Sequence, residues 1–203
     1  MALRLVVAGY DDLSGMELQR SRCPRCGDDH GQPRLVAPWQ PGVSVTTSAS
    51  GELALCGVSR LRRLGVDVEP LANASLLEGV SGLILTDNER RRIDAGHVAD
   101  RQAALLKLWT LKEAYLKAGG VGLSRDPRDV DTTTLVSGYH PDAATCVRSA
   151  HLQATWRAIT SVIGKTHILS IVWHGPCVDI RLRTLPGFGP LPTDDASLEP
   201  ADG

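Results

Sequence analysis

The sequence predicts an α+β fold, because strand-like runs gather in two groups with one long helical stretch between them. The first group is Val43–Thr47, Leu53–Val58 and Leu64–Glu69, and the second is Val130–Val136, Ala150–Ile159, His167–Trp173 and Val178–Leu185. Residues 72–118 between them carry helical periodicity and helix-capping residues. With 203 residues there is room for one large domain or two small ones. Aromatic residues are only 4 % of the chain, so the core must be built from Leu, Val, Ile and Ala.

Taken in order, Met1–Tyr10 reads as a short helix without a capping residue, and residues 20–42, rich in Pro, Gly and Asp, read as loop. Ser-Ala-Ser-Gly-Glu separates the first two strands, and Leu64–Glu69 is the third. Within the helical stretch, Thr86 or Asp87 can cap a helix through Arg92, and Glu89 stands three residues after Thr86, as a capping box requires. Asp100 is the expected cap of a longer helix reaching about Ala118, where Gly119-Gly120 ends it. Residues 186–203, rich in Pro, Gly and acid, are expected to be a disordered tail. The expected division is 1–70, 71–185 and that tail.

Charge and hydropathy exclude several classes. Lys plus Arg number 22 against 23 Asp plus Glu, a net charge of −1, unlike the basic excess of a general nucleic-acid binder. No run approaches the roughly 18–20 apolar residues of a membrane helix, and no secretory leader is recognisable. The expected location is therefore the cytoplasm, with neither nucleic acid nor membrane as partner. Cys23, Cys26, Cys56, Cys146 and Cys177 are odd in number and scattered, unlike a disulfide framework.

Two segments break the ordinary pattern. In Gly65-Val66-Asp67-Val68-Glu69-Pro70, strand alternation turns Val66 and Val68 one way and Asp67 and Glu69 the other. The two acids then stand about 7 Å apart on one face. An edge strand with a wet acidic face is the plain alternative. In Leu105–Lys117, a helical wheel places Leu105, Leu106, Trp109 and Leu116 on one arc, and Lys112, Glu113 and Lys117 on that same arc. An amphipathic helix normally keeps charge off its apolar face. An exposed Glu113–Lys117 pair, worth about 0.3–0.5 kcal/mol, would leave Lys112 unexplained. Asp67, Glu69 and Glu113 together suit a hard cation such as Mg²⁺, which keeps waters and is completed by substrate phosphates. Lys112 and Lys117 beside it would neutralise phosphate oxygens, a combination suited to phosphoryl-transfer chemistry. There is no Walker-type glycine loop and no G-x-G-x-x-G.

G-V-D-V-E-P followed about forty residues later by W-T-L-K-E-A-Y-L-K-A-G-G-V-G-L-S resembles the paired signature of the 4′-phosphopantetheinyl transferases. The resemblance is to the surfactin-synthetase-activating type, single chains with two similar halves. His30-Gly31-Gln32-Pro33-Arg34-Leu35 is similar to the family's G-K-P loop, Ser44–Ser48 to its N-[IV]-S-H-S segment, and Gly122-Leu123-Ser124 to the segment closing the helix. The resemblance implies a pseudo-twofold pair of α+β halves with the active site between them. It implies Asp67, Glu69 and Glu113 as Mg²⁺ ligands, and Asp67, Lys112 and Lys117 near the coenzyme A phosphates. Residues Gly31, Gln32, Pro33 and Arg34, with Thr46, Thr47 and Ser48, would hold the adenine and 3′-phosphate end. The implied reaction transfers the 4′-phosphopantetheine arm of coenzyme A to a serine of an acyl or peptidyl carrier protein, releasing 3′,5′-ADP. Glu113 or a water it holds would accept the hydroxyl proton, Lys117 would stabilise the leaving group, and Lys112 would assist. A monomer in secondary metabolism is the expected setting.

Thr47 stands where the family has histidine and Gln32 where it has lysine. Met1–Tyr10 resembles only the second half of a helix that carries an H-R pair in the family. Fewer cations are thus expected at the 3′-phosphate. A carrier-binding homologue with impaired catalysis, and a Mg²⁺-dependent diphosphate hydrolase, are the competing expectations. Cys23-Pro24-Arg25-Cys26 with His30 looks like half a zinc site, but no second C-x-x-C exists, and a reduced surface loop is the expectation. The remaining histidines show no spacing pattern. Arg90-Arg91-Arg92 reads as a solvated helix face that could meet an acidic carrier helix, with Leu76 and Leu77 as an apolar contact.

Overall fold

In the computed structural model the described residues are 17–29, 31–36, 43–51, 53–60, 63–132, 145–148 and 155–175. The readings at Met1–Tyr10, Val178–Leu185 and 186–203 lie outside them, as does His30.

Glu17–Arg20 (β1) and Pro33–Val36 (β2) form an antiparallel ribbon within the stretch read as loop. Each strand has only four residues, too few to show an alternation in sequence, and the partner supplies the pairing. Ser44–Ser50 (β3) and Leu53–Ser59 (β4) form a hairpin. β3 runs three residues past the expected Thr47, since Ser50 pairs with Leu53 and leaves a two-residue turn with Gly51 at φ 60°. Such turns need positive φ, which glycine adopts without steric penalty.

Leu64–Pro70 (β5) enters a second, four-stranded antiparallel sheet with Thr145–Arg148 (β6), Thr155–Ile163 (β7) and His167–His174 (β8), ordered β5-β8-β7-β6. Ala74–Glu78 (α1), Ser81–Ile84 (α2), Asp87–Ala95 (α3) and Val98–Ala118 (α4) fill the helical stretch. The Thr86–Glu89 capping box is present in full. Asp100 is not the cap of α4: the helix starts at Val98 after His97, and Asp100 sits in the first turn, where its charge complements the helix dipole. Val130–Thr132 is not strand. A 3-10 turn at Pro127–Asp129 leads into it, and Glu89 takes the Thr132 N–H that a neighbouring strand would need. β7 covers the described part of the expected Ala150–Ile159 strand, whose residues 150–154 lie outside the described residues, as do residues 133–136 of the expected Val130–Val136 strand, and β6 was not anticipated.

Both faces of β5 and β8 are covered. On one side Leu111, Ala114 and Ala118 of α4 pack with Trp156, Ala158 and Val172. On the other, Leu64, Val66, Leu169, Ile171 and Trp173 pack with Leu55 of the β3–β4 hairpin. Tyr115 of α4 meets the buried Trp156 at a tilt, 5.0 Å between centroids, tying the helix to the sheet, and His174 of β8 meets the same ring edge-on at 5.4 Å. Among the described residues no helix is long and apolar enough to cross a membrane.

Candidate active site

The site is assembled along β5. Its outer edge lies against β3, whose alternate hydroxyls replace a backbone ladder: Val66 N–H donates to Thr46 Oγ1 and Val68 N–H to Ser48 Oγ, both at 3.3 Å. One residue along, the same strand grips the acids. Ser48 Oγ donates to Asp67 Oδ1 at 2.7 Å and Ser50 Oγ to Glu69 Oε2 at 2.7 Å, with Asn73 Nδ2 adding a 2.9 Å bond to Glu69. An edge that would otherwise present open N–H groups is thereby closed, and each carboxylate is oriented.

Gly65 sets how near α4 comes. A Cβ built there would lie 1.9 Å from the carbonyl oxygen of Ala114 and 2.5 Å from the Ala118 nitrogen. No side chain fits, so helix and strand backbones touch, and the helix brings its own charged residues to Asp67. Lys117 Nζ is 2.6 Å from Asp67 Oδ1 and 3.1 Å from Ser48 Oγ. Asp67 Oδ2 and Glu113 Oε1 are buried without a hydrogen-bond partner among the described residues. Leaving a buried acceptor unmatched costs about 1–3 kcal/mol.

Electrostatics agree. Burial pushes the Glu113 carboxyl up to about 7, Asp67 and Glu69 add to the rise, and Lys117 opposes it. Burial also raises Asp67, against the attraction of Lys117 and the Ser48 hydrogen bond. Buried, mutually repelling carboxylates with unmatched oxygens are the donor set a hard divalent cation requires. As placed, among the described residues no three His, Cys, Asp or Glu side chains converge closely enough to hold a metal ion. One oxygen of Asp67 is turned to Lys117 and Ser48, and one of Glu69 to Ser50 and Asn73.

Lys112 goes elsewhere. It is fully buried, forms an ion pair with Glu89 at 2.6 Å and donates to the carbonyls of Ile84 and Pro127 at 2.7 and 2.9 Å. Its ammonium has three N–H donors and all are used, leaving none for a phosphate. On the wheel Lys112 and Lys117 sit at opposite margins of the charged arc, about 140° apart. Lys117 thus reaches β5 while Lys112 reaches α3. Glu89, read from sequence only as a cap, is the residue that was missed. It accepts from Thr86 N–H, Thr132 N–H and Thr132 Oγ1 as well as Lys112. Its position three residues after Thr86 signalled the cap but nothing of the ion pair.

The residues expected at the other end of the ligand are divided. Gly31 stands at the base of the β1–β2 ribbon, where a Cβ would meet the Ser21 carbonyl at 2.5 Å. Gln32 Nε2 reaches the Lys117 carbonyl at 3.4 Å, so this segment abuts the end of α4. Pro33 is buried and Arg34 is exposed on β2. Thr46 is buried and serves β5, whereas Thr47 alternates to the opposite face from Ser48. Trp109 packs with Ile84, Leu85, Ile93 and Leu105, away from the acids. Leu76 is exposed, but Leu77 packs into the core. Arg91 and Arg92 are exposed on α3.

Fold and site therefore define a mixed α/β protein in which buried Asp67 and Glu113 gather with Lys117 between β5 and α4. The chain belongs to the 4′-phosphopantetheinyl transferase superfamily, whose family model matches residues 63–172, from the start of β5 into β8. It is 34 % identical over 99 residues to the 4′-phosphopantetheinyl transferase HetI of Nostoc sp., covering 48 % of this chain and 42 % of that protein. It is 28 % identical over 145 residues to a candidate 4′-phosphopantetheinyl transferase of Synechocystis sp., covering 70 % of this chain and 57 % of that protein. The chain thus spans about half the length of these relatives. A solved holo-(acyl-carrier-protein) synthase from Bacillus anthracis, in complex with CoA (3′,5′-ADP), aligns with TM-score 0.41 at 18 % identity, over 55 % of this chain and 94 % of that one.

Proposed function

We propose that this chain transfers the 4′-phosphopantetheine arm of coenzyme A to a serine hydroxyl of an acyl or peptidyl carrier protein, releasing 3′,5′-ADP. The observation that carries the reading is the contact of β5 with α4 at Gly65, which gathers Asp67, Glu113 and Lys117 and leaves one oxygen of each acid unmatched. Superfamily membership supports the reaction class.

Asp67, Glu69 and Glu113 would hold Mg²⁺, which when bound offsets the negative charge of the coenzyme A pyrophosphate. The unmatched oxygens of Asp67 and Glu113 support this ligand set. Glu113, or a water it holds, takes the proton of the attacking serine. Lys117 is one-quarter exposed, so its ammonium can turn from Asp67 to the oxygens of the departing 3′,5′-ADP. Ser48 holds both partners and is a positioning residue in this reading, while Lys112 supports the helix. The reading includes the two-half, pseudo-twofold architecture of the surfactin-synthetase-activating type. The contact of β5, within 1–70, with α4, within 71–185, supports a site shared by the two halves. Gln32, beside the end of α4, would lie along the nucleotide.

The test is incubation with coenzyme A, Mg²⁺ and an apo-carrier protein, followed by intact-mass measurement of the carrier. Gain of the phosphopantetheine mass, lost with Glu113→Gln and without divalent metal, is the expected result. Carrier binding without mass gain, or coenzyme A cleavage without a carrier, would overturn it in favour of the binding homologue or the hydrolase.

A further inference from the structure

The transferase reading makes no use of Cys23-Pro24-Arg25-Cys26. These residues form a tight turn at the end of β1, closed by hydrogen bonds from Cys23 N–H to the Asp28 carbonyl at 2.7 Å and from Gly27 N–H to the Cys23 carbonyl at 2.9 Å. Gly27 holds φ 82°, with open space where a side chain would project. The turn aims backbone N–H groups at both sulfurs: Cys23 Sγ accepts from Cys26 and Arg25, and Cys26 Sγ accepts from Asp28. The two side chains also hydrogen-bond to each other. Cys23 is half-buried and Cys26 exposed, so small reagents can reach the pair.

We propose that Cys23 and Cys26 form a redox-active dithiol that exchanges with low-molecular-weight disulfides, Cys23 attacking and Cys26 resolving. The Cys23 thiolate attacks one sulfur of the disulfide, forming a mixed disulfide and expelling one thiolate. The Cys26 thiolate then attacks Cys23 Sγ, closing the intramolecular bond and expelling the second. Two protein thiols are oxidised, one small disulfide is reduced to two thiols, and the two protons pass from the cysteines to the leaving thiolates.

The division of roles has a physical cause. The N–H groups of Cys26 and Arg25 lower the Cys23 thiol below its ordinary range. At Cys26 the Asp28 N–H also lowers, but it is outweighed by desolvation and by hydrogen bonds with Cys23 and Asp28, and the thiol is raised. Cys56 provides an internal contrast: burial alone pushes it to about 11, so it stays protonated and inert.

The full chain is equilibrated in buffers of glutathione and glutathione disulfide, acid-quenched, alkylated and mapped by peptide mass. A Cys23–Cys26 disulfide is expected to appear as the buffer becomes oxidising, with Cys56 remaining a thiol. Cys26→Ser should trap glutathione on Cys23, and Cys23→Ser should collect it on Cys26 more slowly. Circular dichroism of each variant should match the wild type, which an exposed turn permits. Absence of the disulfide in the most oxidising buffer, equal trapping at both sulfurs, or a stoichiometric zinc ion released only by thiol modification would overturn the proposal.

Discussion

The fold resists the ionisation of Glu113. Its carboxyl rises from 4.5 to about 7, so the folded chain holds this proton more tightly than the unfolded chain does. The sign follows: the contribution to stability is full below pH 4.5 and is lost as pH climbs through about 7. The size is about 3 kcal/mol. Without divalent metal, thermal unfolding of the wild type should fall off between these limits, while Glu113→Gln should show little of that decline and exceed the wild type at pH 8. A parallel decline in both would remove Glu113 as its source. Lys112 makes a second residue-level case. Lys112→Met leaves the Glu89 carboxylate buried and short of its cation, which should cost about 3–5 kcal/mol in urea unfolding. Glu89→Gln in the same chain should recover part of the loss. Where the single variant folds, its Michaelis constant for coenzyme A should stay near wild type, whereas Lys117→Met should lower turnover.

Between β5 and α4, one glycine governs the spacing. Gly65→Ala puts a methyl group into the Ala114 carbonyl, against two backbones that cannot rotate aside. Separating them should destabilise by about 1–3 kcal/mol or more and draw Lys117 away from Asp67, so that transfer falls further than stability. A melting temperature unchanged by this substitution would show that the helix does not rest on the strand there. The hydroxyl seam is gentler: Ser48→Ala removes the donor to Asp67 and should cost about 1 kcal/mol. These elements show what a sequence displays. The alternation of Val66 and Val68 with Asp67 and Glu69 is visible in the letters, as are the Thr86–Glu89 cap and the glycine pair ending α4, because each is a local pattern. The destination of Lys112 is not local. A helical wheel gives its direction from the axis, but Glu89 and the Pro127 carbonyl arrive from other segments. Likewise Gly65 reads as an ordinary glycine until the helix lies on it, and β1, β2 and β6, four residues each, are strands only by virtue of their partners.

For the molecule as a whole, the acids lie at a junction of three layers: hairpin, sheet and helix. α3 presents exposed Arg91 and Arg92 to solvent, and Leu76 and Leu83 are exposed on the neighbouring short helices. If carrier proteins approach over this side, reversal of Arg90, Arg91 and Arg92 to Glu should raise the Michaelis constant for an acidic carrier at low salt, with turnover at saturation preserved. An unchanged constant would place the docking surface elsewhere.

The register of β5 carries a consequence for how the chain is made. Asp67 stands opposite Ser170 in the sheet, so the strand bearing the acids is held on one side by residues synthesised a hundred positions later. On the ribosome, β3 can offer its hydroxyls and α4 its lysine early, but among the described residues the backbone partner of β5 is β8, which emerges only with His167–His174. A nascent chain stalled before that point carries every acid of the site and no settled geometry for them. Ligand competence should therefore switch on late and abruptly during translation, as the final described strand docks.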